Sequence, residues 1–231
     1  MRSCSAWTLY VIVDRAAAGS RPLEVLAAAA IRGGADALQL RDKAASARRL
    51  LEDARRLLAL TRPAGIPLIV NDRADVAAAA GADGVHLGQD DLPIPEARRL
   101  LGPGRLIGRS THSLEQALAA EAEGADYLGL GPIFPTPTKP ESGSIGTGLI
   151  GPVVSRVRLP VVCIGGIDRG NAERVLEAGG ERVAVVRAVC GAPDPEAAAR
   201  DLKAMLARRS ARPARRWPKA RSAGNSTVFS I

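Results

Sequence analysis

The chain has 231 residues, 46% apolar and 24% charged, a balance that supports a sizeable core and excludes global disorder. No apolar run approaches the roughly 18 residues of a membrane helix. The net charge of +8 is concentrated at one end: Arg208 to Ile231 holds six Arg and one Lys with no acid, so residues 1–207 carry only +1 and offer no footing for a nucleic-acid surface.

The first fourteen residues, ending at Asp14, have one Arg, a short apolar run and no small-residue cleavage site. They read as a first strand, not a secretory signal. Short apolar runs then recur along the chain, giving eight expected strands: Leu9–Val13, Ala37–Leu40, Pro67–Val70, Gly84–Leu87, Leu106–Gly108, Tyr127–Leu130, Val161–Ile164 and Val183–Val186. Runs apolar on both faces fit parallel strands covered on both sides. With only six aromatic residues in the chain, the core is expected to consist of Ala, Val, Leu and Ile.

Helical patterns alternate with these runs. In Ala44–Thr61 the residues Leu50, Leu51, Ala54, Leu57 and Leu58 form one stripe. Ser113–Glu123 opens with a capping-box pattern, Ser113 with Gln116. Asp194-Pro195-Glu196 opens the last helix with Pro at its first position. The Gly/Pro/Ser/Thr stretch Pro132 to Pro152 is less regular, and Glu141–Gly148 within it is a candidate mobile lid. A Gly-Ala-Asp signature at Gly34, Gly81 and Gly124, with a degenerate copy at Gly180, precedes the second, fourth, sixth and eighth runs. Eight alternations over about 200 residues point to a single (β/α)8 barrel over residues 1–207. An open doubly wound sheet is the alternative, but no GxGxxG follows the first strand. Residues 208–231 form a basic tail expected to be disordered. Cys4, Cys163 and Cys190 are an odd number without CxxC spacing, which fits a reducing, cytoplasmic setting and no zinc site.

Barrel function sits at the C-terminal ends of the strands. There the sequence places Gln39, Arg41 and Lys43; Asn71 and Asp72; Asp91; Ser110 and His112; Thr136, Thr138 and Lys139; and Gly165-Gly166. Cations, acceptor-only carboxylates suited to Mg2+ and a glycine turn after strand seven make a phosphate-handling inventory. Each member also has a plain structural reading. Asp72 and Asp91 read as helix caps, Lys139 as a solvated lysine, Arg41 as the partner of a neighbouring acid, and His86 as a satisfied core or rim histidine. The joint placement reaches a phosphate-ligand enzyme but no particular reaction.

The motifs QLRDK (39–43), ND (71–72), GVHLGQDDLP (84–93), GRSTHS (108–113), GPIFPTPTKP (131–140) and IGGI (164–167) resemble the thiamine-phosphate synthase family across about residues 8–207. The resemblance implies a (β/α)8 barrel. It implies a transferase that joins hydroxymethylpyrimidine diphosphate to thiazole phosphate with Mg2+, releasing diphosphate. By position, Gln39, Arg41, Lys43, Asn71 and Lys139 correspond to pyrimidine-diphosphate contacts, Asp72 and Asp91 to Mg2+ ligands, and Ser110 to the residue beside the pyrimidine and departing diphosphate. Thr136, Thr138, Gly166 and Val186 correspond to the thiazole-phosphate site. The implied mechanism is dissociative and needs no protein nucleophile, in keeping with the lack of an obvious Ser–His or Cys–His pair. Ser110, Lys139 and Arg41 are then the expected catalytic residues.

One departure stands beside the phosphate site, where Arg187 replaces the small Ser usual in that family after strand eight. Arg187 either adds a charge-assisted contact, points away or obstructs the site. The competing readings are a thiazole tautomerase, another phosphate-binding barrel and a catalytically silent binder of a thiamine precursor. Partners are expected to be the two small phosphorylated substrates, not nucleic acid or membrane. Self-association is left open.

Overall fold

The computed structural model describes residues 4–137 and 143–210. Eight parallel strands run in chain order: β1 (Leu9–Asp14), β2 (Ala37–Arg41), β3 (Leu68–Asn71), β4 (Gly84–Leu87), β5 (Leu106–Thr111), β6 (Tyr127–Leu130), β7 (Val161–Ile164) and β8 (Arg182–Val185). Each pairs with the next, and β8 pairs with β1, closing the barrel.

Ten α-helices among the described residues surround it: α1 (Arg15–Ala18), α2 (Leu23–Arg32), α3 (Ala47–Thr61), α4 (Ala74–Ala80), α5 (Ile94–Leu101), α6 (Leu114–Ala122), α7 (Ile150–Arg156), α8 (Ala172–Glu177), α9 (Arg187–Cys190) and α10 (Pro195–Ser210). Helix α3 starts three residues later than its apolar stripe suggests. Asp42 takes the amides of Ala44 and Ala45 into a turn, and Ser46 caps the helix by accepting from Arg49 N. The short helices α1 and α9 precede α2 and α10, outside any periodic apolar pattern. Helix α10 is capped by Asp194, which accepts from Ala197 N at 3.0 Å, and it continues to Ser210, past the expected boundary at 207.

The strands carry two cores. In β1, Leu9, Val11 and Val13 face the helices, whereas Tyr10 and Ile12 point into the barrel. The interior departs from the expected all-aliphatic composition. Trp7, just ahead of β1, lies 5.4 Å from Tyr10 and 5.3 Å from Tyr127 between ring centroids, so three of the chain's six aromatic residues fill the barrel. Bulky interior side chains make the barrel a packed core, not a pore.

The Gly-Ala-Asp repeat has a physical role at the base of the barrel. Each of its aspartates accepts from the backbone at the start of the preceding strand: Asp36 from Leu9 N, Asp83 from Leu68 N and Asp126 from Ile107 N, at 2.7–2.9 Å. Each of their own amides donates back to the same strand ends. The repeat is therefore a clamp that pins alternate strand pairs in register. The degenerate copy has Arg182 where the others have Asp, and Arg182 reaches the Ser5 carbonyl instead.

Candidate active site

A cavity of about 420 Å³ opens at the C-terminal ends of the strands. Gln39 and Arg41 of β2, Asn71 of β3, His86 of β4 and Ser110 of β5 wall one side. Thr136 and the turns after β7 and β8 wall the other, including Gly166, Val186 and Arg187. Lys43, Asp72 and Asp91 are not in the wall; they cluster beyond it. Strand β5 runs through Thr111, so Arg109 and Ser110 are ladder residues and not the loop expected from the apolar run. Thr138, Lys139 and the first part of the candidate lid lie outside the described residues. The later part of that segment is tied down: Ile145 N donates to Pro132 O and Gly146 N to Ile133 O.

Asp14 holds Arg41 at the cavity wall. The two face each other in register, and Arg41 Nη1 is bonded to Asp14 Oδ2. Asp14 is buried and its Oδ1 accepts from Ala17 N at 2.9 Å, capping α1. One carboxylate thus fixes both a helix and a cation.

Asp72 closes β3 in the left-handed region, φ 62°, with its amide bonded to His86 O at 2.8 Å. Burial raises the Asp72 pKa, and the facing Asp91 carboxyl raises it further. Lys43, 3.4 Å from Asp72, offsets part of this. Asp91 is itself fixed by Gly88 N, which donates to it at 2.6 Å. Among the described residues no cluster of three or more ionisable ligands occurs. Two half-buried, acceptor-only carboxylates facing each other, with the charge on Asp72 disfavoured, nonetheless fit Mg2+, which keeps waters and takes substrate phosphate oxygens alongside one or two carboxylates.

Across the barrel, the β7 turn is built on Gly165 (φ 98°) and Gly166 (φ 62°). A Cβ on Gly166 would stand 2.5 Å from Pro135 O, so the backbone approaches the β6 turn as only glycine allows. Asn171 staples the turn, donating from Nδ2 to Gly166 O at 2.8 Å. Arg187 is exposed at this rim, and no ion pair among the described residues involves it.

The sequence reading missed Asp14, Tyr10 and Tyr127. Asp14 ends an apolar run just as the named residues do, so its position was the signal. A second correction concerns nucleophiles. A Ser–His pair does exist: His86 Nε2 lies 3.0 Å from Ser110 Oγ. His86 pairs with Gly108 across the β4–β5 ladder, and Ser110 lies two residues on, on the same face. His112, the other histidine, sets its ring Nδ1 against the Gly131 carbonyl.

Residues 9–189 match the family model described as thiamine monophosphate synthase. The chain is 52% identical over 200 residues to the thiamine-phosphate synthase of Roseiflexus sp. strain RS-1, covering 86% of this chain and 85% of that one. It is 50% identical over 201 residues to the enzyme of the same name from Chloroflexus aurantiacus, covering 87% and 93%. The solved structure of thiamine phosphate pyrophosphorylase from Pyrococcus furiosus superposes with a TM-score of 0.81 at 42% identity, covering 88% of this chain and 96% of that one. Identity of this depth across the whole barrel goes beyond shared fold, and the chain belongs to the thiamine-phosphate synthase family of transferases.

Proposed function

We propose that the chain joins hydroxymethylpyrimidine diphosphate to thiazole phosphate, giving thiamine phosphate and diphosphate. The observation that carries this reading is the placement of anion-handling groups on opposite sides of one cavity. Arg41 and Asn71 line it at β2 and β3, with the Asp72–Asp91 pair just beyond that wall, and the Gly165-Gly166 turn and Arg187 line it across the barrel at β7 and β8. Two phosphorylated substrates can then meet between them.

Gln39, Asn71 and Ser110 hold the pyrimidine. Arg41, Lys43 and Lys139 supply positive charge to the departing diphosphate, where negative charge grows as the C–O bond breaks. Thr136, Thr138, Gly166, Val186 and Arg187 hold the thiazole phosphate and aim the ring nitrogen at the pyrimidine-methyl cation. Confinement of both substrates lowers the entropic barrier to their encounter. Asp72 and Asp91 would hold Mg2+, which when bound neutralises charge on the diphosphate. No protein nucleophile is required. The three free cysteines are buried, and burial pushes the Cys163 thiol up to about 12 and that of Cys190 to about 11, so neither is an activated thiolate. Buried free thiols also fit a cytoplasmic setting, and no described helix is long and apolar enough to cross a membrane.

The test is to combine the protein, Mg2+ and both precursors, follow thiamine phosphate and diphosphate, and omit each component in turn. Formation of both products only in the complete mixture is the expected result. Ser110→Ala, Lys139→Ala and Asp72→Ala should each lower turnover at least about tenfold, or roughly 1.4 kcal/mol of barrier. Product formed without the pyrimidine diphosphate would overturn the reading.

A further inference from the structure

We propose that Tyr10 and Tyr127 are positioning residues for Ser110: through His86 they orient a hydrogen-bonded chain across the barrel interior that leaves the Ser110 hydroxyl hydrogen for the substrate. The inference rests on the reading of Ser110 as a substrate contact. The chain runs from Gln39 Nε2 to Tyr10 Oη (2.9 Å), to Tyr127 Oη (3.2 Å), to His86 Nδ1 (3.1 Å), and from His86 Nε2 to Ser110 Oγ (3.0 Å). It joins two strands that wall the cavity, β2 and β5, through buried side chains that line its floor.

The direction of the chain follows from donor counting. The Gln39 amide nitrogen only donates, so Tyr10 Oη accepts. The Tyr10 hydrogen then goes to Tyr127 Oη, and the Tyr127 hydrogen goes to His86 Nδ1. Neutral His86 therefore carries its hydrogen on Nε2 and donates to Ser110 Oγ. Reversing the order would leave the Tyr10 hydrogen without an acceptor among the described residues, on a phenol that is buried, where unmet donors are avoided. Burial holds both phenols far above their ordinary pKa, so both remain protonated donors.

The direction changes what the Ser–His pair can do. A nucleophilic serine needs a histidine lone pair facing its hydroxyl. Here the lone pair faces Tyr127, and Ser110 is an acceptor from His86 whose own hydrogen has no acceptor among the described residues. It can donate to a pyrimidine ring nitrogen or to a departing phosphate oxygen. The local packing is built around this arrangement. A Cβ on Gly108 would stand 2.1 Å from Tyr127 Cζ and 2.5 Å from His86 Nδ1, so β5 yields its side chain where the two rings meet. Trp7 packs against both tyrosines from the base of the barrel.

The two-histidine composition makes the test direct. Protein labelled with 15N-histidine is examined by long-range 1H–15N correlation at a pH where both rings are neutral. The expected spectrum shows His86 as the Nε2–H tautomer and His112, whose Nδ1 donates to the Gly131 carbonyl, as the opposite one. In Tyr127→Phe, His86 should shift towards a mixture of tautomers. With both substrates, kcat should fall at least tenfold while KM for the pyrimidine diphosphate changes less than threefold, and Tyr10→Phe should give a smaller effect of the same kind. His86→Gln, which retains a donor at the ε position, should keep more activity than His86→Ala. A His86 found as the Nδ1–H tautomer in the unmodified protein overturns the proposal without any variant, as does a folded Tyr127→Phe with unchanged kcat. If the unmodified protein makes no thiamine phosphate, the functional reading falls, and the tautomer still decides the chain's direction.

Discussion

Asp14 and Arg41 stand opposite each other in the parallel register of β1 and β2, and a buried carboxylate on one strand anchors a cavity-wall cation on the next. A guanidinium tethered in this way is already oriented before substrate arrives, which is where electrostatic catalysis gains most. Asp14→Asn retains an oxygen to cap α1 but turns the end facing Arg41 from an acceptor into a donor, so it removes both the charge and the Arg41 bond. It should lower kcat/KM about tenfold, or roughly 1.4 kcal/mol. Asp14→Ala should show the same kinetic loss and lose about 1 kcal/mol of stability with the cap. Steady-state kinetics and melting curves on the two variants separate the effects; unchanged kcat/KM in Asp14→Asn would mean that Arg41 needs no anchor.

The acid pair should make the protein trade stability for ion binding. Burial first, and Asp91 second, raise the Asp72 pKa. An acid with a raised folded pKa binds its proton more tightly in the fold than in the unfolded chain. Stability therefore falls as pH rises from the unfolded value, about 3.9, through the raised folded one, and stays reduced above it. Asp72→Asn removes the repulsion and suits a φ of 62°, since Asn tolerates the left-handed region. The exposed Lys43 contact that it weakens contributes little. Without divalent ions at neutral pH, Asp72→Asn should melt above the unmodified protein. Mg2+ should raise Tm of the unmodified protein and not of the variant, and the variant should lose at least about tenfold in kcat. A variant that melts lower would place the cost elsewhere than in the facing carboxylates.

Asp36, in the clamp at the base of the barrel, titrates in the opposite sense. Burial alone would raise the Asp36 pKa, but the amides of Leu9 and Thr8 and the Lys203 ammonium outweigh it and hold the carboxyl below its ordinary range. A depressed folded pKa contributes stability that is present above the unfolded carboxylate range and is lost as pH falls through the folded value. Lys203 lies on α10, so the same carboxylate pins β1 and the last helix. Asp36→Asn should cost about 2–3 kcal/mol at neutral pH, seen as a Tm lower by roughly 5–10 °C. The deficit should shrink in acid, where the native carboxylate is itself protonated. A deficit independent of pH would assign the loss to shape and not to charge.

Strand positions were legible because parallel strands buried on both faces read as unbroken apolar runs. The same property concealed which residues point inward. Nothing in Leu9–Val13 distinguishes Tyr10 from Val11 until the barrel is closed and the two cores separate. Helix starts were legible where a capping side chain stands at the boundary, as at Ser113 and Asp194. The start of α3 was displaced because Asp42 and Ser46 compete as turn and cap, and only one can begin the helix. The cavity wall was legible from strand ends, whereas the Ser110–His86 contact depends on the register of β4 against β5, which no local pattern encodes.

Arg187 departs in type from what the motifs imply, and we propose that one of its three readings holds, on the strength of its surroundings. It opens α9 one residue after β8, lines the cavity together with the Gly165-Gly166 turn, and is exposed without an ion pair among the described residues. Obstruction fits poorly, because an exposed long side chain can swing away at the cost of rotamer freedom alone. Pointing away fits poorly too, because an unpaired guanidinium at the edge of an anion site is drawn towards the anion by charge. A charge-assisted contact to the thiazole phosphate remains, worth about 1.5–3 kcal/mol when made. Arg187→Ser should then raise KM for the thiazole phosphate by roughly tenfold or more, and salt should raise KM less in the variant than in the unmodified protein. KM for the pyrimidine diphosphate should stay within twofold, since the site proposed for that substrate is across the barrel. Equal rises in both KM values would mean that Arg187 acts on the whole cavity field and not on one phosphate.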